Sequence, residues 1–425
     1  MLHIQNPTVR RCLLKGEFGL ELESLRVTRD GILAQTPHPF PGDERIDRDF
    51  SESQTEFNTT VYPTAIQAVE GLQQLYTRAQ KTLADLPEPE CFWPFSNPPY
   101  LRSESDIPVA QYYGEKASKT DYRNYLSDRY GRYKMAFSGI HVNYSFAEEM
   151  VEAEAEACGR PLRQVKDRLY LDLAERAVEY GWILTAVTAA SPVLDRSFLC
   201  AGACGGSDFT GMASVRCSEL GYWNFFAPVF SYQNLESYVS SMREYVDSGL
   251  LRQFSELYYP IRLKPRGAYT LEGLAEKGVN HIELRMFDLN PLVYGCIDVR
   301  DVRFAELLLG YLAAMERKPL TQNDQVQAVQ NFKSAAHYDL NTVRIVRPDG
   351  TSSTAAEAGA AIIRDMMGFY QDASEQSRQV LDFELEKFTD GSTRYAAKVL
   401  ERYGTDYVKE GLALAHRMQQ EALQR

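Results

Sequence analysis

Carboxylates spaced two residues apart are the first feature of this sequence that could do chemistry. Leu20-Glu21-Leu22-Glu23 puts both glutamates on one face of an extended strand and both leucines on the other. Gln54-Thr55-Glu56-Phe57-Asn58 aligns Gln54, Glu56 and Asn58, and His141-Val142-Asn143-Tyr144-Ser145-Phe146 aligns His141, Asn143 and Ser145. In His281-Ile282-Glu283-Leu284-Arg285-Met286, His281, Glu283 and Arg285 share one face. Glu21, Glu23, Glu56 and Glu283, with His141, supply mainly hard oxygen donors, which suit Mg²⁺ or Mn²⁺ better than a Cys-rich zinc centre would. Carboxylates gathered without a cation resist joint ionisation. Divalent ions remove that repulsion and can clamp the phosphates of a nucleotide. Arg216 and Arg285 would add fixed positive charge where phosphoryl charge develops. The plainer alternative for any one strand is the wet face of an amphipathic sheet. Strands rich in Glu, His, Asn and Gln, rather than Thr and Lys, favour a concave polar site.

Helical spacing predicts the elements around those strands: Ala65–Ala84, Glu148–Ala157, Leu162–Leu184, Asn234–Val246, Val302–Arg317, Asp324–Ala336, Ala355–Tyr370 and Asp406–Gln424. Thr64, after Pro63, is the expected N-cap of the first. Pro87–Pro99 reads as a fixed loop and Asp349–Gly350 as a tight turn. No repeat and no long linker interrupts the chain. The expectation is an α+β fold, with residues 1–425 as a single catalytic domain. Residues 1–300 would form a mixed strand and helix core, and 301–425 a helical C-terminal layer.

Charge and composition narrow the partners. With 46 Lys+Arg against 58 Asp+Glu the 425-residue chain carries −12, which disfavours nucleic acid and anionic membrane while leaving room for a local ATP site. The most apolar stretches, Trp182–Val193 and Phe304–Met315, are too short to span a bilayer, and Met1–Lys15 lacks the apolar core of a secretory signal. Seven scattered cysteines suit reduced thiols, so a cytoplasmic protein is expected. Cys200 and Cys204 have no second Cys pair or nearby His to complete a zinc knuckle and read as ordinary small buried residues. Gly114-Glu-Lys-Ala-Ser-Lys-Thr lacks the second glycine of a phosphate-binding loop. Gly202–Gly211 lacks a dinucleotide fingerprint and is either a surface loop or one that covers substrate. A nucleotide would therefore be held mainly through metals. His3, His38, His337 and His416 have no convergent partners in sequence and read as surface or structural, and His281 as a polar residue flanking the site.

The motifs also carry a family resemblance. Phe18-Gly-Leu-Glu-Leu-Glu-Ser-Leu-Arg-Val, Asp49-Phe50 with Glu56-Phe57, Tyr130-Gly131 and Ser138-Gly-Ile-His-Val-Asn-Tyr occur in order. Ala190-Ser-Pro, Ser214-Val-Arg, Leu257-Tyr-Tyr-Pro-Ile-Arg, and Ile282-Glu-Leu-Arg with Asp288-Leu-Asn-Pro follow. Together they resemble the bacterial glutamate–cysteine ligases over residues 18–302. The resemblance implies a glutamine-synthetase-like fold, an antiparallel sheet curved into a funnel with surrounding helices. It also implies ATP-dependent γ-glutamyl transfer. The family's metal ligands would fall on Glu21, Glu23, Glu56, His141 and Glu283, with Asp49 beside them. Arg216 would bind substrate, Arg285 face the transferred phosphoryl group and Arg123 approach the nucleotide phosphates.

By the same resemblance, Phe50, Tyr122, Leu126, Tyr222 and Tyr258 would build the acceptor pocket. Met135 stands where a Gln is expected, replacing an amide with an apolar, adaptable thioether. The expected activity is ligation of L-glutamate to L-cysteine by a monomer using Mg²⁺ or Mn²⁺ and ATP. The alternatives are a ligase for another small or apolar amino acid, a phosphagen-kinase-like phosphotransferase and a silent ligand-binding relative.

Overall fold

β1 (Gly16–Thr28) is the axis of the molecule, because it pairs on both edges of its length. The computed structural model describes residues 2–200 and 204–425. Its main sheet adds β2 (Ile46–Arg48), β3 (Gln54–Asn58), β4 (Glu90–Phe92) and β5 (Ile140–Phe146). β6 (Val193–Asp195) and β7 (Ser207–Phe209) form a separate ribbon, whereas β8 (Ile261–Lys264) and β9 (His281–Phe287) complete the main sheet. The order is β2-β3-β1-β5-β9-β8, with β4 paired to the far end of β1, and each neighbouring pair is antiparallel.

The alternation seen in sequence decides which face is dry. Leu20, Leu22, Val142, Tyr144, Ile282 and Leu284 are all buried and join one hydrophobic cluster that runs from Leu2 to Met418. Helix Ala65–Ala84 lies against β1, and helix Leu162–Tyr180 against β8. The first starts where its cap predicts: Thr64 Oγ1 accepts from the Gln67 N–H at 3.2 Å.

The expected helix Leu162–Leu184 is instead two, Leu162–Tyr180 and Trp182–Thr188. The break falls at Gly181, where a Cβ would sit 2.3 Å from the Ala177 carbonyl oxygen and 2.9 Å from the Phe332 ring. The Pro87–Pro99 loop contains β4, since its Glu90–Phe92 backbone completes the edge of β1. The helical C-terminal region carries one hairpin, β10 (Arg344–Val346) with β11 (Ser352–Thr354), around the expected Asp349–Gly350 turn. Residues 117–130, without apolar periodicity, also form a helix, Ala117–Tyr130. Gly202 of the expected loop lies outside the described residues, and 207–209 of that stretch form β7. Cys200 and Cys204 are exposed rather than buried. Among the described residues no helix is long and apolar enough to cross a membrane.

Candidate active site

Strand pairing brings the alternating carboxylates together. Glu23 faces Glu56 across β1–β3, Glu21 faces His141 across β1–β5, and Glu283 faces Asn143 on β5 and Arg262 on β8. Five of the expected metal ligands thus form one row on the polar face of four strands. Asp49, just beyond β2, joins that row electrostatically through Glu23 and Glu56.

His141 is the hinge of the row. Its Nδ1 lies 2.9 Å from Glu21 and 3.9 Å from Glu283, while Nε2 lies 3.7 Å from a Glu23 oxygen. Nε2 is buried without a hydrogen-bond partner, as is one Glu283 oxygen. Burial, then the Arg285 charge, pushes the imidazole down to about 4, which leaves it neutral and able to act as a ligand. Donor atoms of Glu21, His141 and Glu283 all lie within 4.8 Å of one another. The residues present therefore fit a hard divalent ion: several carboxylate oxygens, one neutral imidazole, and a buried nitrogen whose lone pair or proton meets nothing else.

The two halves of the row differ in charge balance. Around Glu283 three cations converge: Lys264 Nζ at 3.1 Å, Arg285 Nη1 at 3.1 Å and Arg262 Nη1 at 3.8 Å. Burial alone would raise the Glu283 carboxyl, but Lys264, Arg285 and Arg262 outweigh it and hold it well below the usual range. Burial likewise opposes ionisation of Glu21, yet its hydrogen bond with His141 brings it down to about 2. At the other end, burial and then Asp49 push Glu23 up to about 8. Glu56 is raised well above its ordinary value by burial, Asp49, Glu21 and Glu23. Arg216, Arg285 and the Gly139 N–H, which donates to Glu23 at 3.1 Å, offset only part of the rise at Glu23.

Two openings flank the row. One, of about 720 Å³, is bordered by Glu21, Asn143, Lys264, Arg266, Tyr269 and His281, a volume in the range of small-molecule sites. The other is a narrow pocket bordered by Arg216, Tyr222, Tyr258 and Arg285. Arg216 is buried and donates to the Arg285 carbonyl at 2.9 Å. Its guanidinium passes so close to Gly139 that a Cβ there would sit 2.2 Å from Cζ, so the Ser138-Gly motif is a steric requirement of this arginine.

The remaining expected residues fall into two groups. Tyr222 and Tyr258 meet edge to face at 4.9 Å between ring centroids, and the Tyr258 hydroxyl lies 3.9 Å from Met135 Sδ. Tyr122 reaches Ser255 near Tyr258, at 3.5 Å, while Phe50 and Leu126 are buried in the core beside them. Arg123 is turned elsewhere: its guanidinium donates to the backbone carbonyls of Asp49, Arg48 and Lys119. Arg262 enters from sequence only as the end of the Leu257-Tyr-Tyr-Pro-Ile-Arg motif, without a role, and Lys264 and Tyr269 do not enter at all. The signal for the first two was present, since Ile261-Arg262-Leu263-Lys264 has the same period-2 alternation as the other strands. His281 opens onto the larger cavity, its Nδ1 3.1 Å from the Asn280 amide.

Residues 1–249 and 246–335 match the family model described as glutamate-cysteine ligase. The glutathione biosynthesis bifunctional protein GshAB of Listeria monocytogenes is 35% identical over 381 residues, covering 86% of this chain and 49% of that protein. The chain spans about half the length of the curated relatives it matches. Among solved structures, a bifunctional glutathione synthetase from Pasteurella multocida superposes with a TM-score of 0.84 at 27% identity, over 99% of this chain and 55% of that one. A Francisella tularensis glutamate–cysteine ligase in complex with AMP shares the fold, with a TM-score of 0.85 at 23% identity, over 96% of this chain and 89% of that one.

Proposed function

The chain belongs to the glutamate–cysteine ligase family, and on that premise we propose that it joins the γ-carboxylate of L-glutamate to the α-amine of L-cysteine at the expense of ATP. The observation that carries this reading is the half-compensated carboxylate row between two openings. Glu21, Glu23, Asp49, Glu56, His141 and Glu283 would hold Mg²⁺ or Mn²⁺. Such ions, when bound, neutralise and align the triphosphate. The larger cavity, with Lys264 4.3 Å above the Tyr269 ring and Arg266 at its border, takes the nucleotide. The narrow pocket takes the amino acids.

The chemistry follows from the weakness of a carboxylate as an electrophile. Attack of the glutamate γ-carboxylate on the terminal phosphorus of ATP gives an acyl phosphate and ADP. The acceptor amine then attacks the acyl carbon, phosphate leaves, and an amide forms. Arg285, which borders the narrow pocket and lies 3.1 Å from Glu283, stabilises the transferring phosphoryl charge. Arg216, buried behind it, binds a substrate carboxylate. Phe50, Tyr122, Leu126, Met135, Tyr222 and Tyr258 shape the acceptor's side-chain pocket. Arg123 acts by holding the Asp49 segment rather than by touching phosphate. We read residues 1–425 as one catalytic unit, acting as a cytoplasmic monomer.

The test is release of ADP and phosphate with ATP, Mg²⁺ and glutamate, plus cysteine or other small amino acids, with mass analysis of the product. Cysteine-dependent γ-glutamylcysteine formation establishes the reading, and a phosphorylated product without phosphate release overturns it. A second reading, transfer to a different small or apolar amino acid, rests on the thioether of Met135 against Tyr258. Met135→Gln should then shift acceptor preference by about tenfold, of the order expected for one side-chain group in a specificity pocket.

A further inference from the structure

Three donors of different chemistry converge at the N-terminal edge, and they share no residue with the carboxylate row. His3 precedes the helix Pro7–Cys12. Glu154 and Cys158 sit four residues apart on the helix Glu148–Cys158, which places both on one face. His3 Nδ1 lies 2.8 Å from Glu154 Oε1. Cys158 Sγ lies 3.4 Å from that same oxygen and 3.8 Å from His3 Nδ1.

Those distances are informative. Bond lengths to tetrahedral zinc place N, O and S donors roughly 3.3–3.6 Å from one another. The observed edges of 2.8, 3.4 and 3.8 Å depart from that triangle by about half an ångström or less. One imidazole, one carboxylate and one thiol form the mixed set that a borderline ion prefers, and the sulfur disfavours Mg²⁺ or Ca²⁺.

The arrangement is anchored independently of any ion. Leu2 is buried, its N–H directed at the Ala313 carbonyl at 3.4 Å, and the His3 N–H donates to Glu154 Oε2 at 2.9 Å. Glu154 is itself buried, whereas the His3 side chain is 52% exposed, so an ion has an entry path and solvent can supply a fourth ligand.

We propose that His3, Glu154 and Cys158 bind a borderline divalent cation of the zinc class, clamping the N-terminal segment onto the helix Glu148–Cys158. Cys158 gives its thiol proton to solvent on coordination, and Nδ1 and one carboxylate oxygen complete the protein's share of the site.

The probe is Co²⁺ added to the full chain in excess Mg²⁺, which fills hard-oxygen sites. One equivalent should produce a near-ultraviolet thiolate-to-cobalt charge-transfer band that Zn²⁺ abolishes. Cys158→Ser should remove the band, and His3→Ala, at an exposed position, should weaken Co²⁺ binding at least tenfold. The doubly substituted Cys200→Ser/Cys204→Ser protein should retain the band, because those exposed thiols lie elsewhere. Zn²⁺ should raise the thermal midpoint of the wild type and leave that of Cys158→Ser unchanged. Absence of the band, its survival in Cys158→Ser, or unaltered affinity in His3→Ala overturns the proposal.

Discussion

Two clusters of buried charge sit in this molecule, one on the sheet and one among the C-terminal helices, and they balance their charges in opposite ways. In the helical cluster, Lys387 Nζ lies 3.2 Å from Asp301, 2.8 Å from Glu384 and 2.9 Å from the Val187 carbonyl. The Tyr395 hydroxyl donates to Asp301 at 3.0 Å. Burial, only partly offset by Lys387, pushes Glu384 up to about 8. The group sets one lysine against two carboxylates inside the core, and neither Glu384 oxygen has a hydrogen-bond partner beyond that ionic contact. On the sheet, Glu23, Asp49 and Glu56 crowd together, Arg216 and Arg285 offset only part of the rise at Glu23, and His141 Nε2 has no hydrogen-bond partner. Both are buried and acidic, so burial and acidity alone do not mark a functional site. What distinguishes the sheet cluster is that donors suited to a metal, on Glu21, His141 and Glu283, converge on one point, whereas a lysine already sits between the two acids of the helical cluster.

That contrast can be broken most sharply at Glu23. Glu23→Gln should lower ligase turnover by about a thousandfold, because it removes a ligand where charge is to be neutralised, with little loss of stability. Steady-state kinetics paired with a thermal melt checks this; near-normal turnover in folded protein would remove Glu23 from the site.

Lys387→Met should do the reverse. It strands Asp301 in the core and should cost about 3–5 kcal/mol of stability, while KM values of the surviving folded fraction stay unchanged. Denaturant titration measures the loss, and a change below the error of the titration would show that the cluster is not held by its lysine.

A further effect concerns pH. The folded state holds the Glu384 proton more tightly than the unfolded chain, whose ordinary value is 4.5, so this group favours folding below that pH. Its contribution is lost as pH rises towards about 8, with a limiting slope of about 1.4 kcal/mol per pH unit. Glu384→Gln, neutral throughout, should flatten the fall in denaturation midpoint between pH 5 and 8. An unchanged slope would mean that Glu384 is ionised in the folded protein.

Much of the sheet site was legible in sequence because a strand has a period of two. Alternation assigned Glu21, Glu23, Glu56, His141 and Glu283 to polar faces without any knowledge of pairing, and the family motifs agreed. The helix Ala65–Ala84 was equally legible, since its cap and apolar stripe are local. Legibility failed where the signal was not local. The helix Ala117–Tyr130, which carries Tyr122, Arg123 and Leu126, buries only Leu126 and Tyr130 and so has no stripe to read. The break at Gly181 falls inside one continuous helical spacing of apolar residues, Leu162 to Leu184, which does not register it.

By itself, then, the sequence determined which side chains could bind metal and phosphate, the strands that carry them and the family to which they belong. Tertiary structure alone decided the register that sets Glu23 against Glu56 and Glu21 against His141. It decided that Lys264 and Arg262 help to hold Glu283 ionised while Arg216 and Arg285 offset only part of the rise at Glu23, and that His3 meets Glu154 and Cys158 from 151 and 155 residues away. The physical reason is one of range. Alternation and capping act between neighbours in the chain, whereas the charge on a buried carboxylate is set by whatever folding brings within a few ångströms of it.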